Sequence, residues 1–191
     1  MKTIEDQMSF YAAYHQDARN KATHFIGVPA IMLSLFIPLA WMRFEAGGVT
    51  ITAAMVFAAV VLIYYFMLDV ALALAMVVLT AVLVFLGDRI AGLGTVPGWI
   101  WFGALFIGGW IVQLVGHGFE GRKPALADNL FQIFVAPIFL AAEVFFALGY
   151  KPALHQRINQ RAQLSRAQSA DSSNSLPRTS SRSGASGSRS A

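Results

Sequence analysis

Apolar runs alternate with short polar breaks along most of the chain, and the lengths of these runs indicate how often it crosses a bilayer. The first apolar run covers residues 27–42. A crossing takes about 20 helical residues, so this run spans only if residues 24–26 extend its helix. Residues 51–86 are apolar apart from Asp69, which is too long for one crossing and suits two short ones. We therefore predict one spanning helix followed by a helical hairpin that turns at Asp69.

Two further apolar runs follow a glycine-rich loop that opens at Asp88 and Arg89. One begins at Trp99 and finishes near Val115, and its tryptophans suit a membrane interface. The other covers residues 130–149 and contains Pro137, which removes a backbone donor and kinks a helix. This last segment therefore crosses the bilayer, enters and returns, or lies in the interface.

Basic residues help to choose between these topologies, because clusters of Lys and Arg prefer the cytoplasmic side of a membrane. The clusters lie before the first span, after the fourth span and after the last segment: Lys2, Arg19, Lys21, Arg122, Lys123, Lys151, Arg157 and Arg161. All three share one side only if the last segment returns to the face from which it entered. The predicted fold is all-α, a polytopic helical membrane protein with four transmembrane helices plus a kinked re-entrant or interfacial segment. A plain five-span bundle is the alternative.

The two ends of the chain differ from the apolar middle. Residues 3–15 are predicted to form a short amphipathic, interfacial helix with Thr3 as its cap, followed by a polar bend at residues 16–20. The Ser/Arg-rich tail has no apolar periodicity, so we predict that it is disordered and dispensable. The predicted parts are an N-terminal part with the first His block (1–26), a transmembrane domain (27–155), a basic polar extension (156–164) and the tail (165–191).

Composition supports a membrane protein and limits the chemistry available to it. Hydrophobic residues make up 57% of the chain and charged residues 13%, which is more apolar than a soluble domain of this length can bury. The formal net charge is +4, but residues 165–191 hold four Arg and one Asp, or +3 of it. Nucleic acid is therefore not an expected partner. The chain has no cysteine, so a metal would need His, carboxylate or amide ligands.

Three of the four histidines are predicted to meet at one membrane face. His15 and His24 precede the first span and His117 follows the fourth, so an even number of crossings separates them. Imidazole is the commonest ligand for iron, zinc and copper, and carboxylates complete the open-sided sites of non-haem iron oxygenases. The other polar residues at this face are Tyr14, Asn20, Gln113, Glu120, Asp128 and Asn129. The face thus contains the residue types that a metal site requires.

Each histidine taken alone also has an ordinary explanation as a headgroup contact or a helix cap. His15 and His24 are nine residues apart, on opposite sides of an unbroken helix, so they share a metal only if the chain bends at residues 16–20. His117 and Glu120 suit one helix face, but the glycines on either side of His117 indicate a helix end or turn.

Glu143 is more informative, because a carboxylate inside an apolar stretch usually faces a polar cavity or a charged partner. Asp69 is predicted to be solvated. Gln113, one turn before His117, is also explained by an interhelical hydrogen bond, and Tyr14 by anchoring at the interface.

Two blocks of sequence carry these residues in a specific pattern. The first is FYAAYHQDARNKATHFIGVPAIMLS and the second, with its His block at 113–129, is QLVGHGFEGRKPALADNLFQIFVAPIFLAAEVFFALGYKP. The pattern resembles the signature blocks of the 2-hydroxy fatty acid dioxygenase family, membrane proteins typified by the fungal enzyme of phytosphingosine breakdown. The resemblance covers roughly residues 5–155. It implies an Fe(II)-dependent reaction with O2 that shortens a 2-hydroxy fatty acid by one carbon and releases CO2.

The resemblance also implies roles for individual residues. Glu120 is either a fourth ligand or a partner that orients a histidine, and the acyl chain is expected between the helices. The expected metal ligands are His15, His24, His117 and Glu120; the expected catalytic and hydrogen-bonding residues are Glu120, Asn20, Gln113 and Asn129; the expected substrate contacts are Tyr14, Arg122, Lys123 and Glu143. The host membrane is expected to be a bacterial inner membrane or the endoplasmic reticulum, with the site at its cytoplasmic face.

Two other function classes suit the same residues. A non-enzymatic lipid-binding scaffold or transporter subunit would use them to tie helix ends together, and a zinc-dependent membrane hydrolase would use the same ligands. The metal bound by purified protein separates the three classes. Oligomeric state is left open by the sequence.

Overall fold

The computed structural model describes residues 3–121 and 131–174, with side chains up to residue 168. Arg122, Lys123, Asp128 and Asn129, for which the sequence predicts functional roles, lie outside the described residues. The elements, in chain order, are α1 (Ile4–Ala12), α2 (Ala18–Trp41), β1 (Arg43–Ala46), β2 (Val49–Thr52), α3 (Ala53–Leu68), α4 (Val70–Ala91), α5 (Thr95–Glu120), α6 (Gln132–Ala147) and α7 (Pro152–Asn174).

The α-helices form a bundle whose outer surface is apolar. Three of them, α2, α4 and α5, are long and apolar enough to cross a membrane. The shorter α3 connects the two ends of the bundle, because it begins after β2 and ends at Leu68, just before Asp69. Outward-facing side chains such as Val60, Val78 and Ile107 are more than 60% exposed, which suits contact with lipid. The predicted fold class, an all-α membrane protein, is confirmed.

A small β-hairpin is the one departure from all-α structure among the described residues. Strands β1 and β2 are antiparallel and are joined at Gly47 and Gly48, whose φ angles are +60° and +79°. Successive positive φ angles belong to the tight hairpin turns that glycine favours. Arg43 on β1 pairs with Asp88 on α4 at 2.6 Å. We call this end of the bundle the hairpin end, and the opposite end, which carries His15, His24 and His117, the histidine end.

Asp69 is structural, and the prediction that it is merely solvated is wrong. Its side chain accepts hydrogen bonds from the backbone N–H groups of Ala71 and Leu72, so it caps the start of α4. It is 6% exposed and pairs with Lys151, which follows α6. Asp69 thus lies between α3 and α4. Its carboxylate caps the start of α4 and, through Lys151, ties the hairpin of α3 and α4 to the start of α7.

Two helices continue beyond the ends that the sequence predicts. Asp88 and Arg89 lie in the last turns of α4 rather than in a loop. Likewise, α5 continues through Gly116 and Gly118 to Glu120. Gly116 is buried where α5 lies close to α2, so it is required by packing and does not end the helix.

Both ends of α6 lie at the histidine end of the bundle. At its start, Gln132 contacts Gln7 of α1, and near its finish Glu143 pairs with Lys21 at 2.9 Å. Lys151, just past α6, reaches Asp69 at the start of α4. A helix that crossed the bundle would place one end beside the β-hairpin. These contacts therefore agree with a last apolar segment that returns to its own face.

The C-terminal helix α7 extends into the segment for which the sequence predicts disorder. Helix α7 continues to Asn174, so the prediction is wrong for residues 165–174, and residues 175–191 are outside the part that the structure describes. Ile158 and Ala162 are buried, and Arg157 and Arg161 pair with acidic residues of α1. Two apolar residues at helical spacing are too few for a pattern search to detect, although with ion pairs they hold α7 against α1.

The topology predicts a labelling pattern that single cysteines can test, since the chain has none of its own. Cysteines at the exposed positions Arg19 and Gln156 should react with an impermeant maleimide from one side of the membrane. Cysteines at Glu45 and Leu93 should react from the other side. If the Gln156 cysteine reacts together with the Glu45 cysteine, the last segment crosses completely and the returning topology is wrong.

Candidate metal centre

Three imidazole rings meet inside the histidine end of the bundle. His15 lies in the turn between α1 and α2, His24 on the first turns of α2, and His117 on the last turns of α5. They are 1%, 1% and 7% exposed, and their ring centroids are 4.6 to 5.0 Å apart. One ligand atom of each lies within 4.8 Å of the others. The convergence predicted from counting membrane crossings is therefore present.

Backbone carbonyl groups orient two of these rings. The Nδ1 atom of His15 is 2.8 Å from the carbonyl oxygen of Tyr11, and that of His24 is 2.9 Å from the carbonyl oxygen of Asn20. A carbonyl oxygen only accepts, so each Nδ1 donates and carries the proton. Each Nε2 then has a free lone pair, and the two Nε2 atoms are 3.2 Å apart.

The donor set fits a bound cation. Two lone pairs that face each other at 3.2 Å repel unless a positive charge lies between or beside them. The Nδ1 atom of His117 is buried without a hydrogen-bond partner among the described residues, and buried polar atoms are rarely left in this state. Carbonyl groups that fix a histidine's tautomer are also the usual partners of metal-bound imidazoles.

Burial keeps His15 in the form that binds metals. Desolvation, and next the neighbouring His24, hold the pKa of His15 well below its ordinary value. The neutral imidazole is the ligand form.

Tyr11, which is not among the residues selected from the sequence, supports His15 in two ways. Its carbonyl group accepts the Nδ1 proton, and its ring stacks on the imidazole at 4.0 Å with an interplanar angle of 4°. Phe139 of α6 packs against both rings. The detectable signal was the spacing of Tyr11 and His15, because residues four apart share a helix face.

Glu120 holds the bend between His15 and His24. Its side chain is 1% exposed. One oxygen, Oε2, accepts from the backbone N–H groups of Gln16 at 3.0 Å and Asp17 at 2.8 Å, and from the Asn20 amide at 3.3 Å. The other oxygen, Oε1, accepts from Arg166 of α7. Both oxygens are thus occupied by donors, which favours the orienting role over that of a fourth ligand.

Asn20 links the carboxylate to the metal ligands. It is fully buried, and its side-chain amide donates to Glu120 and to the backbone carbonyl group of Tyr14. The backbone carbonyl group of Asn20 in turn accepts from His24. Tyr14 thus contributes backbone to the site, and its ring packs against Phe10.

An apolar cavity of about 170 Å³ opens from the histidines into the bundle. The three imidazoles and Tyr11 line one part of it, and Phe36 and Phe57 line another. The amide side chains of Gln113 and Gln132 are also on its wall. Gln113 was predicted to be at the site, whereas Gln132 was missed, because nothing in the sequence distinguishes it from a polar residue at a helix start.

Glu143 and His155 lie away from this cavity wall. Glu143 pairs with Lys21, the kind of charged partner expected of a carboxylate in an apolar stretch, and its predicted contact with substrate stays a prediction. His155 stacks on Phe146 at 4.6 Å, on the α7 side of the bundle. Arg122, Lys123 and Asn129 lie outside the described residues, so their predicted roles remain predictions.

The family described as 2-hydroxy-palmitic acid dioxygenase Mpo1-like matches residues 1–148. The chain is 33% identical over 159 residues to the 2-hydroxy-palmitic acid dioxygenase MPO1 of Saccharomyces cerevisiae, and the alignment covers 79% of this chain and 84% of the yeast protein. No solved structure matches. The three histidines and Glu120 lie inside the range matched by the family, whereas α7 lies beyond it.

Proposed function

The chain belongs to the 2-hydroxy-palmitic acid dioxygenase Mpo1-like family, and from this premise we propose that it is an iron(II)-dependent, membrane-embedded dioxygenase of 2-hydroxy fatty acids. In the proposed net reaction the bond between C1 and C2 breaks, C1 leaves as CO2, and C2 becomes the carboxyl carbon of an acid one carbon shorter. The substrate loses four electrons, which reduce O2. The remaining oxygen atom and two hydrogen atoms leave as one molecule of water.

The observation that carries this proposal is the set of three buried imidazoles with free lone pairs beside an apolar cavity. His15, His24 and His117 would hold the iron(II) ion, which would supply the redox chemistry with O2. Tyr11 and Asn20 keep the ligand nitrogens in place through their carbonyl groups. Among the described residues no fourth protein ligand is assigned, which would leave room at the ion for O2 and the substrate.

The cavity suits the chemistry of an amphiphile. Its wall follows α2 from His24 to Phe36, which is twelve residues or roughly 18 Å of helix. We place the carboxylate and the 2-hydroxyl group at the histidines and the acyl chain along this wall. Gln113 and Gln132 are the amide groups available for hydrogen bonds to the polar end, and Arg122 or Lys123 remains the proposed contact of the carboxylate.

The proposed site lies at an end of the bundle, where an amphiphile can enter from the lipid with its polar group near water. Positive clusters on this side favour the cytoplasmic face of a bacterial inner membrane or of the endoplasmic reticulum. Tyr11 and Phe139 pack around His15 and exclude water from one side of the ring.

Carboxyl-labelled 2-hydroxyhexadecanoic acid tests the proposed reaction. Metal-free protein in detergent is loaded with iron(II) or with zinc, and O2 uptake and labelled CO2 are measured on the same samples. We expect iron-loaded protein to release one labelled CO2 for each O2 consumed, and zinc-loaded protein to release none. Hexadecanoic acid, which lacks the 2-hydroxyl group, is the matched substrate control and should not react.

Two results would contradict the proposal. Hydrolytic activity with zinc and no O2 uptake with iron would favour the hydrolase. Failure to bind any metal would favour a lipid-binding scaffold.

A further inference from the structure

Arg166 on the C-terminal helix contacts the buried carboxylate of Glu120, which holds the turn between His15 and His24, here called the histidine turn, although α7 lies outside the residues that match the family. We propose that Arg166 is a positioning residue of the metal centre, through which α7 raises the affinity of the three histidines for metal. The inference rests on the metal centre of the proposed function, and it adds a residue for which neither the sequence pattern nor the family match provides a role.

Glu120 is a buried carboxylate whose negative charge needs compensation. Its side chain is 1% exposed, and Oε2 accepts from the backbone of Gln16 and Asp17 and from the side chain of Asn20. These donors are neutral. A buried carboxylate needs a compensating charge as well as hydrogen bonds, and the guanidinium of Arg166 supplies it.

Among the residues that the structure describes, the other basic side chains close to the histidine turn have different partners. Lys21 pairs with Glu143, and Arg19 pairs with Asp17. Arg166 is therefore the cation that the structure assigns to Glu120. Its removal leaves a buried negative charge with neutral donors alone, which favours water entry and movement of the carboxylate.

Glu120 is connected to the metal-binding histidines through the residues between them. The residues that it holds, Gln16, Asp17 and Asn20, lie between His15 and His24 in the sequence. Movement of the carboxylate therefore loosens the bend that brings the two Nε2 atoms to 3.2 Å. Groups that orient metal ligands typically contribute about 10-fold to 100-fold to metal affinity.

The docking of α7 explains why Arg166 reaches the site. Ile158 and Ala162 are buried, and Arg166 follows them at the same interval of four residues, so the buried stripe of α7 leads to Arg166. Arg161 also belongs to the docking surface, but it is 54% exposed and pairs with Glu5 and Asp6 of α1. It provides a matched control for docking without contact to Glu120.

Cobalt(II) binding to the full chain in detergent tests the proposal without substrate. We expect Arg166→Ala to weaken Co(II) binding by about 10-fold to 100-fold and to change the visible absorption bands of the bound ion. Arg166→Lys should restore part of the affinity because it keeps the charge, and Arg161→Ala should bind Co(II) as the wild type does. Adding Arg166→Ala to Glu120→Gln should cause little further loss, since both act through one contact.

Two truncations give an independent comparison. A chain that stops at Leu164 should lose Co(II) affinity as Arg166→Ala does, whereas a chain that stops at Asn174 should keep it. Wild-type affinity and absorption bands in Arg166→Ala would overturn the inference, as would equal loss in Arg161→Ala. A chain whose Co(II) binding depends on Arg166 but that does not oxidise 2-hydroxy fatty acids would retain the inference and refute the proposed function.

Discussion

Replacement of His15, His24 or His117 by Ala should each remove the bound iron and reduce oxidation of 2-hydroxy fatty acids to background, while the protein still accumulates in the membrane. Each substitution deletes one of three ligand atoms that lie within 4.8 Å of one another, and two imidazoles do not hold a labile metal well. Iron content and turnover are measured on the same purified samples. Because the ligands act as a unit, the three losses should be similar in size.

His155→Ala is the matched control for these substitutions. Its ring stacks on Phe146 rather than on the other histidines, so iron content and turnover should equal those of the wild type. Glu120→Gln should be intermediate and retain some iron, because its oxygens contact donors instead of the metal position. If any two of the three ligand variants keep wild-type iron and turnover, the histidines do not share a metal.

Gly116→Ala should strongly weaken metal binding, whereas Gly118→Ala, two residues away on the same helix, should not. A methyl group at Gly116 would collide with the side chain of Thr23 and approach Asn20 Oδ1 to 2.6 Å. A methyl group at Gly118 would meet nothing within 4 Å. Overpacking of this kind typically costs about 1 to 3 kcal/mol, and here it displaces Asn20, which contacts both Glu120 and His24.

The pair is matched because both glycines lie in α5 and both substitutions raise helix propensity by up to about 1 kcal/mol. We therefore expect more than about tenfold loss of Co(II) affinity for Gly116→Ala, given the size of the overpacking penalty, and unchanged or slightly higher stability for Gly118→Ala. Equal Co(II) affinity in the two variants would show that the close approach of α5 to α2 does not position the metal centre. Gly109 and Gly108 repeat the contrast further into the bundle, where only Gly109 faces α2.

The sequence predicted the spanning helices and the convergence of the histidines because both depend on long-range regularities. Apolar run lengths set the number of crossings, and an even number of crossings brings His24 and His117 to one face. A break between His15 and His24 was also predictable, but it lies at residues 13–17 rather than 16–20, because Asp17 caps α2 and residues 18–20 already belong to that helix.

Contacts between distant polar residues could not be predicted. The pairing of Glu143 with Lys21 and of Asp69 with Lys151 depends on how helices pack, and the sequence shows only that each carboxylate needs a partner. Arg166 lies in a segment with a composition typical of disorder, and its order comes from docking on α1 rather than from its own pattern. Gln132 was missed for the same reason, because only the folded bundle shows that it lines the cavity, whereas Tyr11 could have been selected from its spacing to His15.

X-ray absorption at the iron edge of the iron-loaded wild-type protein tests the central claim most directly. The account predicts one iron per chain whose nearest neighbours include three imidazole nitrogens, and loss of one imidazole contribution, or of the iron itself, in His117→Ala. A bound iron without imidazole scattering, or a spectrum unchanged by His117→Ala, would contradict a metal centre formed by His15, His24 and His117.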